Sequence, residues 1–180
     1  MVYIHLADGF EEIEAVTIMD VLRRGEVQAK FVSVTGELEV TGAHGIRVKA
    51  DLPFEEADYD TCEMIVLPGG MPGTQNLKEH PGLTEKIKAF ALRRKKMAAI
   101  CAAPMVFGSM GLIKGKKATI YPGMETHLKD GIPVKEKVQV SENIITGQAP
   151  GAAMEFSVEL VKILKGEKVA KEVKEYLCMK

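Results

Sequence analysis

Short apolar runs set the rhythm of this chain: VYIHLA (2–7), AKFVSV (29–34), MIVL (64–67) and MAAI (97–100). Each has strand length, is rich in β-branched or small apolar residues, and stops at a turn signal or a polar cluster. Runs of this kind are expected of inner strands in a parallel sheet covered on both faces. Between the first two runs the period changes. Residues 11–24 place Ile13, Val16, Ile18, Val21 and Leu22 on the expected apolar side of a helix, with Glu11, Glu12 and Glu14 in its first turn. Arg23 and Arg24 close it and Gly25 stops it, so both ends complement the helix dipole. Strand, helix and strand with short joints predict a right-handed parallel crossover. Leu38 to Asp51 alternates around Gly42 and Gly45 and predicts a β-hairpin appended at one edge. Helices are expected over 83–95, from Cys101 to about Met110, and over 151–164 and 168–176. Further strands are expected at 117–120 and 144–146. The pattern is α/β: one doubly wound domain over residues 1–180, with a mostly parallel sheet, no low-complexity linker and no solenoid repeat.

Composition narrows the classes of function. The 180 residues carry 46% hydrophobic and 27% charged side chains with a net charge of −1, which argues for neither nucleic acid nor an anionic membrane as partner. The basic run Arg93–Lys96 falls at a helix end, where it compensates the dipole. Three cysteines (Cys62, Cys101, Cys178) without CxxC spacing give no disulfide framework and no zinc site. The first residues carry neither a basic flank nor a signal-length apolar run, and no run is long enough to span a bilayer. A soluble protein of the cytoplasm is therefore expected. No two of the four histidines have metal-ligand spacing, so no metal and no cofactor is assigned. His5 lies inside a strand, His80 at a helix entrance and His127 in a charged segment; only His44, at the hairpin tip between glycines, is placed to reach over a pocket.

In doubly wound sheets the chemistry sits beyond the carboxyl ends of the strands. Three turns qualify: Asp8–Glu14, Pro68–Gly73 and Cys101–Pro104. Cys101 leaves a buried strand onto a turn of small residues with Pro104 opening the next helix. Such an elbow raises one side chain above the sheet and favours thiolate over thiol; the alternative is a buried, inert cysteine. Glu14, a turn into the first helix, either compensates the dipole, as expected of Glu11 and Glu12, or lies beside Cys101. There it would stay protonated by desolvation and donate to the sulfur. Gly69-Gly70 is either a tight turn or a pair of bare amides approaching a ligand in the manner of an oxyanion hole. GGMPG lacks the endings and spacing of a phosphate loop.

Together GFEEIEAV (9–16), IVLPGGMPGTQNL (65–77), AAICAAP (98–104) and APGAAMEF (149–156) closely resemble the ThiJ/PfpI family. The nearest clade is that of the parkinsonism-associated protein deglycase and its bacterial relatives. The likeness implies a flavodoxin-like α/β/α sandwich, akin to class I glutamine amidotransferases, that forms homodimers. By motif, Cys101 resembles the family's nucleophilic, oxidisable cysteine and Glu14 its protonated carboxylate partner. Gly70 and Ala102 resemble the backbone donors facing the sulfur, with Gly69 beside them. Where animal members carry a histidine near the cysteine and an arginine over the pocket, this chain has Tyr121 and His44. The implied activity is a glutathione-independent glyoxalase, turning small 2-oxoaldehydes such as methylglyoxal into lactate, or a deglycase for their early protein adducts. Its setting would be carbonyl and oxidative stress, and its partner a small-molecule aldehyde or a glycated protein. The rival is a redox-sensing or chaperone-like stress protein whose Cys101 is oxidised to sulfinate. Ala102 stands where peptidase members place a histidine after the cysteine, and no downstream His-x-Glu pair is present, so peptidase and amidotransferase activities are not expected.

Overall fold

The computed structural model describes residues 1–179. Its main sheet is built from β1 (Val2–Leu6), β2 (Ala29–Ser33), β5 (Leu52–Pro53), β6 (Met64–Leu67), β7 (Lys96–Ile100), β10 (Val138–Ser141) and β11 (Ile144–Gly147). The spatial order is β10-β11-β7-β6-β1-β2-β5. All neighbours pair in parallel except β10 with β11. Four of these strands are the apolar runs noted above. Their alternation serves two cores: Ile4, Leu6, Val66 and Ile100 point to one face, Tyr3, Ile65, Leu67, Met97 and Ala99 to the other. With both faces buried, the period-2 polarity signal vanishes, which is why these strands read as continuous apolar runs.

Helices α1 (Glu12–Arg24) and α5 (Ala153–Lys165) pack together on the first face, with α6 (Glu167–Tyr176) against α5. On the other face lie α3 (Pro81–Leu92) and α4 (Pro104–Ser109), while α2 (Gly73–Glu79) packs against both of them. The hairpin is real, β3 (Glu39–Thr41) against β4 (Arg47–Lys49), but it forms its own two-stranded sheet rather than extending the main one. The strand expected at 117–120 shrinks to β8 (Lys117–Ala118), which pairs with β9 (Ile132–Pro133) away from the main sheet. Its apolar end, Ile120, is buried in a loop instead. Helix α1 corrects the sequence reading on one side: Ile18, Val21 and Leu22 are buried, whereas Ile13 and Val16 are 59% and 47% exposed.

From β1 the chain crosses to β2 on one side and later returns to β6 on the other. The carboxyl ends of β1, β6 and β7 therefore lie side by side at the point where the winding direction reverses, the place where open α/β sheets make clefts.

Candidate active site

The three turns expected to converge do so. Glu11 donates its backbone N–H to the Gly69 carbonyl at 2.9 Å, and Gly73 donates to Gly9 at 3.1 Å, lashing the β1 turn to the β6 turn. Asn76 Nδ2 adds a bond to the Asp8 carbonyl at 2.9 Å. Gly70 sits at φ +89°, where glycine carries no steric penalty. Cys101 itself is held at φ +63°, a left-handed conformation that costs a non-glycine residue about 1–2 kcal/mol. Bonds on both sides hold it there: Cys101 N–H to the Gly147 carbonyl at 3.0 Å, and Tyr121 N–H to the Cys101 carbonyl at 2.8 Å. An elbow of this kind aims the side chain away from the sheet axis and into the turn cluster.

Glu14 is fully buried. Its Oε2 accepts the Gly69 N–H at 2.7 Å, whereas Oε1 is buried with no hydrogen-bond partner. Burial pushes the Glu14 carboxyl up to about 7; the Gly69 amide and the Cys101 side chain pull it down, and the charge of Glu11 pushes it further up. Cys101 is 8% exposed. Burial first, then the ionised Glu14 carboxylate, by its charge and as an acceptor for the thiol, push Cys101 up to about 12, against the downward pull of the Ala102 and Gly70 amides. An acidified thiol was expected from the elbow and its helix; α4 has only six residues, and burial outweighs it.

The two groups titrate as a pair. Both upward influences that Glu14 exerts on the thiol belong to its ionised form. Protonated, the carboxyl loses its charge and gains an O–H donor, so a buried oxygen without a partner no longer carries charge. The carboxyl and the thiol therefore have coupled proton affinities, and Glu14 is the member of the pair that titrates near neutrality. The arrangement is suited to a sulfur that adds to an electrophilic carbon, two amides that receive negative charge, and a carboxyl that gives and takes one proton.

Of the sequence-derived candidates, Glu14, Gly69, Gly70 and Ala102 gather around Cys101. Tyr121 joins through its backbone, with its ring 46% exposed. His44 lies at the hairpin tip, its Nδ1 2.8 Å from Glu12 Oε2 and 3.7 Å from Glu11 Oε2. Glu11 and Glu12, expected to be ordinary solvated dipole charges, are instead buried. Burial by itself would raise Glu12, but the His44 side chain and the His44 and Ile46 amides more than offset it and hold the carboxyl low. His44 is correspondingly raised, mainly by its bond to Glu12. The one signal for this in the sequence is Gly42, where a Cβ would fall inside the Glu12 carboxyl.

A doubly wound α/β domain with a cysteine on a strained elbow and a buried carboxyl beside it defines a class of cysteine-centred flavodoxin-like proteins. Within that class the chain belongs to the DJ-1/PfpI family, whose model matches residues 1–163. It is 40% identical over 181 residues to "Protein DJ-1 homolog B" of Arabidopsis thaliana, covering 99% of this chain but only 41% of that protein. This chain thus spans about two fifths of that relative's length. It is 30% identical over 170 residues to "Glutathione-independent glyoxalase DJR-1.2" of Caenorhabditis elegans, covering 94% of this chain and 90% of the relative. Among solved structures, "Toxoplasma gondii DJ-1, oxidized" superposes with a TM-score of 0.95 at 34% identity, over 99% of this chain and 97% of that one. No described helix is long and apolar enough to cross a membrane.

Proposed function

We propose that this protein is a cysteine-dependent, glutathione-independent glyoxalase acting on small 2-oxoaldehydes such as methylglyoxal, or on their early protein adducts, in carbonyl and oxidative stress defence. The observation that carries the reading is Glu14 Oε1, a buried oxygen without a partner, on a carboxyl whose other oxygen is pinned by Gly69. A group so placed is poised to hold a proton and to move it, and its pKa near 7 matches general acid–base work at neutral pH. The glyoxalase name of the worm relative points the same way.

In this mechanism Cys101 sulfur adds to the aldehyde carbon, and the thiol proton passes by way of Glu14 to the former carbonyl oxygen, giving a hemithioacetal. The Gly70 and Ala102 amides receive the negative charge on oxygen during addition. Glu14, now a carboxylate, takes the hydrogen from the former aldehyde carbon as a proton, the hydroxyl proton passes to the neighbouring oxygen through the enediol, and Glu14 returns its proton to the neighbouring carbon. A thioester of the 2-hydroxyacid results, and water cleaves it to lactate and the free thiol. No electrons leave or enter overall: one carbon is oxidised, its neighbour is reduced. The working form is taken as a cytoplasmic homodimer without nucleic acid or membrane partners.

Lactate formed from methylglyoxal without glutathione, by wild type and by Cys101→Ser, tests the reading. Lactate from wild type alone is the expected result; equal rates from both, or none from either, would overturn it. One observation favours the second reading: the same two amides that would hold a hemithioacetal oxygen would hold sulfinate oxygens on Cys101, and the Toxoplasma structure is that of an oxidised protein.

A further inference from the structure

The start of α1 and the tip of the β3–β4 hairpin bring three ligand-type side chains together beside the cysteine site. Glu12 Oε2 lies 2.8 Å from His44 Nδ1, Glu11 Oε2 lies 3.7 Å from the same nitrogen, and one donor atom from each residue falls within 4.8 Å of the others. Atoms bound about 2.0–2.2 Å from a common ion stand roughly 3–3.5 Å apart, so small side-chain rotations close the set. Glu12 is already oriented by backbone: its Oε1 accepts the His44 N–H at 2.7 Å and the Ile46 N–H at 3.4 Å. Ligand carboxylates are supported in the same way.

A second observation, independent of that clustering, comes from Glu11. It is only 9% exposed, and the nearest described donor to its carboxyl, His44 Nδ1, stands 3.7 Å away. Its sole ion-pair contact among the described residues is His44 Nδ1, beyond hydrogen-bonding distance and already engaged by Glu12. Its side chain is 11% exposed, so a largely buried carboxylate without a close protein donor stays open to a cation arriving from solvent.

We propose that Glu11, Glu12 and His44 form a binding site for one divalent transition-metal ion of the Zn2+ type. The ion takes the place of the hydrogen that now bridges Glu12 and His44 and draws in the Glu11 oxygen. Two carboxylate oxygens with one imidazole nitrogen suit Zn2+, Mn2+ or Fe2+ better than Cu(I), which prefers sulfur. The His44 side chain is 68% exposed, which leaves an entry path and room for water to fill the remaining positions. Sequence spacing gave no hint, because the histidine lies more than 30 residues from the glutamates in the chain.

The experiment is calorimetric titration of Zn2+ into chelator-treated full-length protein, with visible absorption of the Co2+ form as a second readout. One ion per chain is expected, retained in Cys101→Ser and weakened more than about tenfold in both His44→Ala and Glu11→Gln. Both substitutions leave the backbone amides that bind Glu12 in place, and circular dichroism of each variant is the control for folding. The proposal is overturned if no ion binds at about 1 mM Zn2+. It is equally overturned if binding survives both substitutions, or disappears in Cys101→Ser, which would put the ion on the thiol.

Discussion

Gly69 binds Glu14 and excludes any side chain of its own: its amide donates to Glu14 Oε2 at 2.7 Å, and a Cβ there would fall 2.6 Å from Cys101 Cβ and 2.8 Å from Glu14 Oε2. The Ile100 carbonyl would stand 3.0 Å away, so two of the three obstacles belong to the elbow itself. Gly69→Ala should therefore displace Cys101 rather than merely crowd it. The expected cost is about 1–3 kcal/mol of stability and about a hundredfold in lactate formation. Urea unfolding and a product assay read the two separately. A variant with wild-type turnover would show that the close approach is not needed for catalysis.

Glu14→Gln keeps the side chain's shape and a possible acceptor for Gly69 but cannot carry a proton between carbons. Turnover should fall by roughly 10²–10⁴, the range of general acid–base catalysis. Capture of the aldehyde by Cys101, seen as a mass adduct, should persist. If lactate continues at the wild-type rate, Glu14 is a structural residue and the proton moves through another group.

Much of this was legible because the sheet is buried on both faces. Val2–Leu6, Met64–Leu67 and Lys96–Ile100 announce themselves as apolar runs, and the turns that follow them carry the glycines and the cysteine. Element order then sufficed to place Cys101, Gly69 and Glu14 near one another once β6 was known to lie between β1 and β7. Edge elements were harder to read. Val138–Ser141 is half-solvated and pairs antiparallel, and Leu52–Pro53 is two residues long, so neither has a periodic signature. The roles of Glu11 and Glu12 were invisible for another reason: acidic residues in a first helical turn already have a local explanation, and only the folded hairpin supplies their true partner. The burial of the Cys101 thiol was not legible either, because local helix geometry says nothing about depth.

Stability should depend on pH through Glu14. Its folded pKa is raised from the ordinary 4.5 to about 7 by burial, so folding favours the protonated carboxyl. That contribution is fully present below pH 4.5 and is lost as pH rises to 7, by about 3 kcal/mol at most. His5 acts in the opposite sense: buried and depressed to about 3, it contributes above its ordinary 6.5 and loses that contribution as pH falls. Urea midpoints measured across pH 4.5–7 should fall more steeply on the alkaline side in wild type than in Glu14→Gln. Parallel curves would mean that Glu14 titrates alike in the folded and unfolded chain.

The three cysteines should separate under peroxide. Cys62 is 1% exposed and its thiol donates to the Met64 carbonyl at 3.3 Å, so it should stay reduced. Cys178 is exposed with no oxygen-binding frame among the described residues, whereas Cys101 has the Ala102 and Gly70 amides and a carboxyl to hold a sulfinate. Peptide mapping after limited peroxide should find two added oxygens first on Cys101. Earlier oxidation of Cys178 to the same state would remove the redox-sensor reading.

The exposed side of α1 bears on assembly. Ile13 and Val16 project outward one turn apart, and Ile46 is 57% exposed on the hairpin whose backbone is tied to Glu12. Three large apolar side chains grouped at the same end of the molecule form a patch that a folded chain gains by covering, and a second copy of the chain offers the same patch across a two-fold axis. If that is the homodimer surface, Ile13→Asp combined with Val16→Asp should convert a dimer to a monomer in sedimentation velocity. Neither residue contributes to the buried side of the helix, so the fold should survive with little loss in urea. A dimer that persists through both substitutions would place the interface elsewhere, and a monomeric wild type would remove the dimer from the proposed function while leaving the Cys101–Glu14 chemistry to stand on its own contacts.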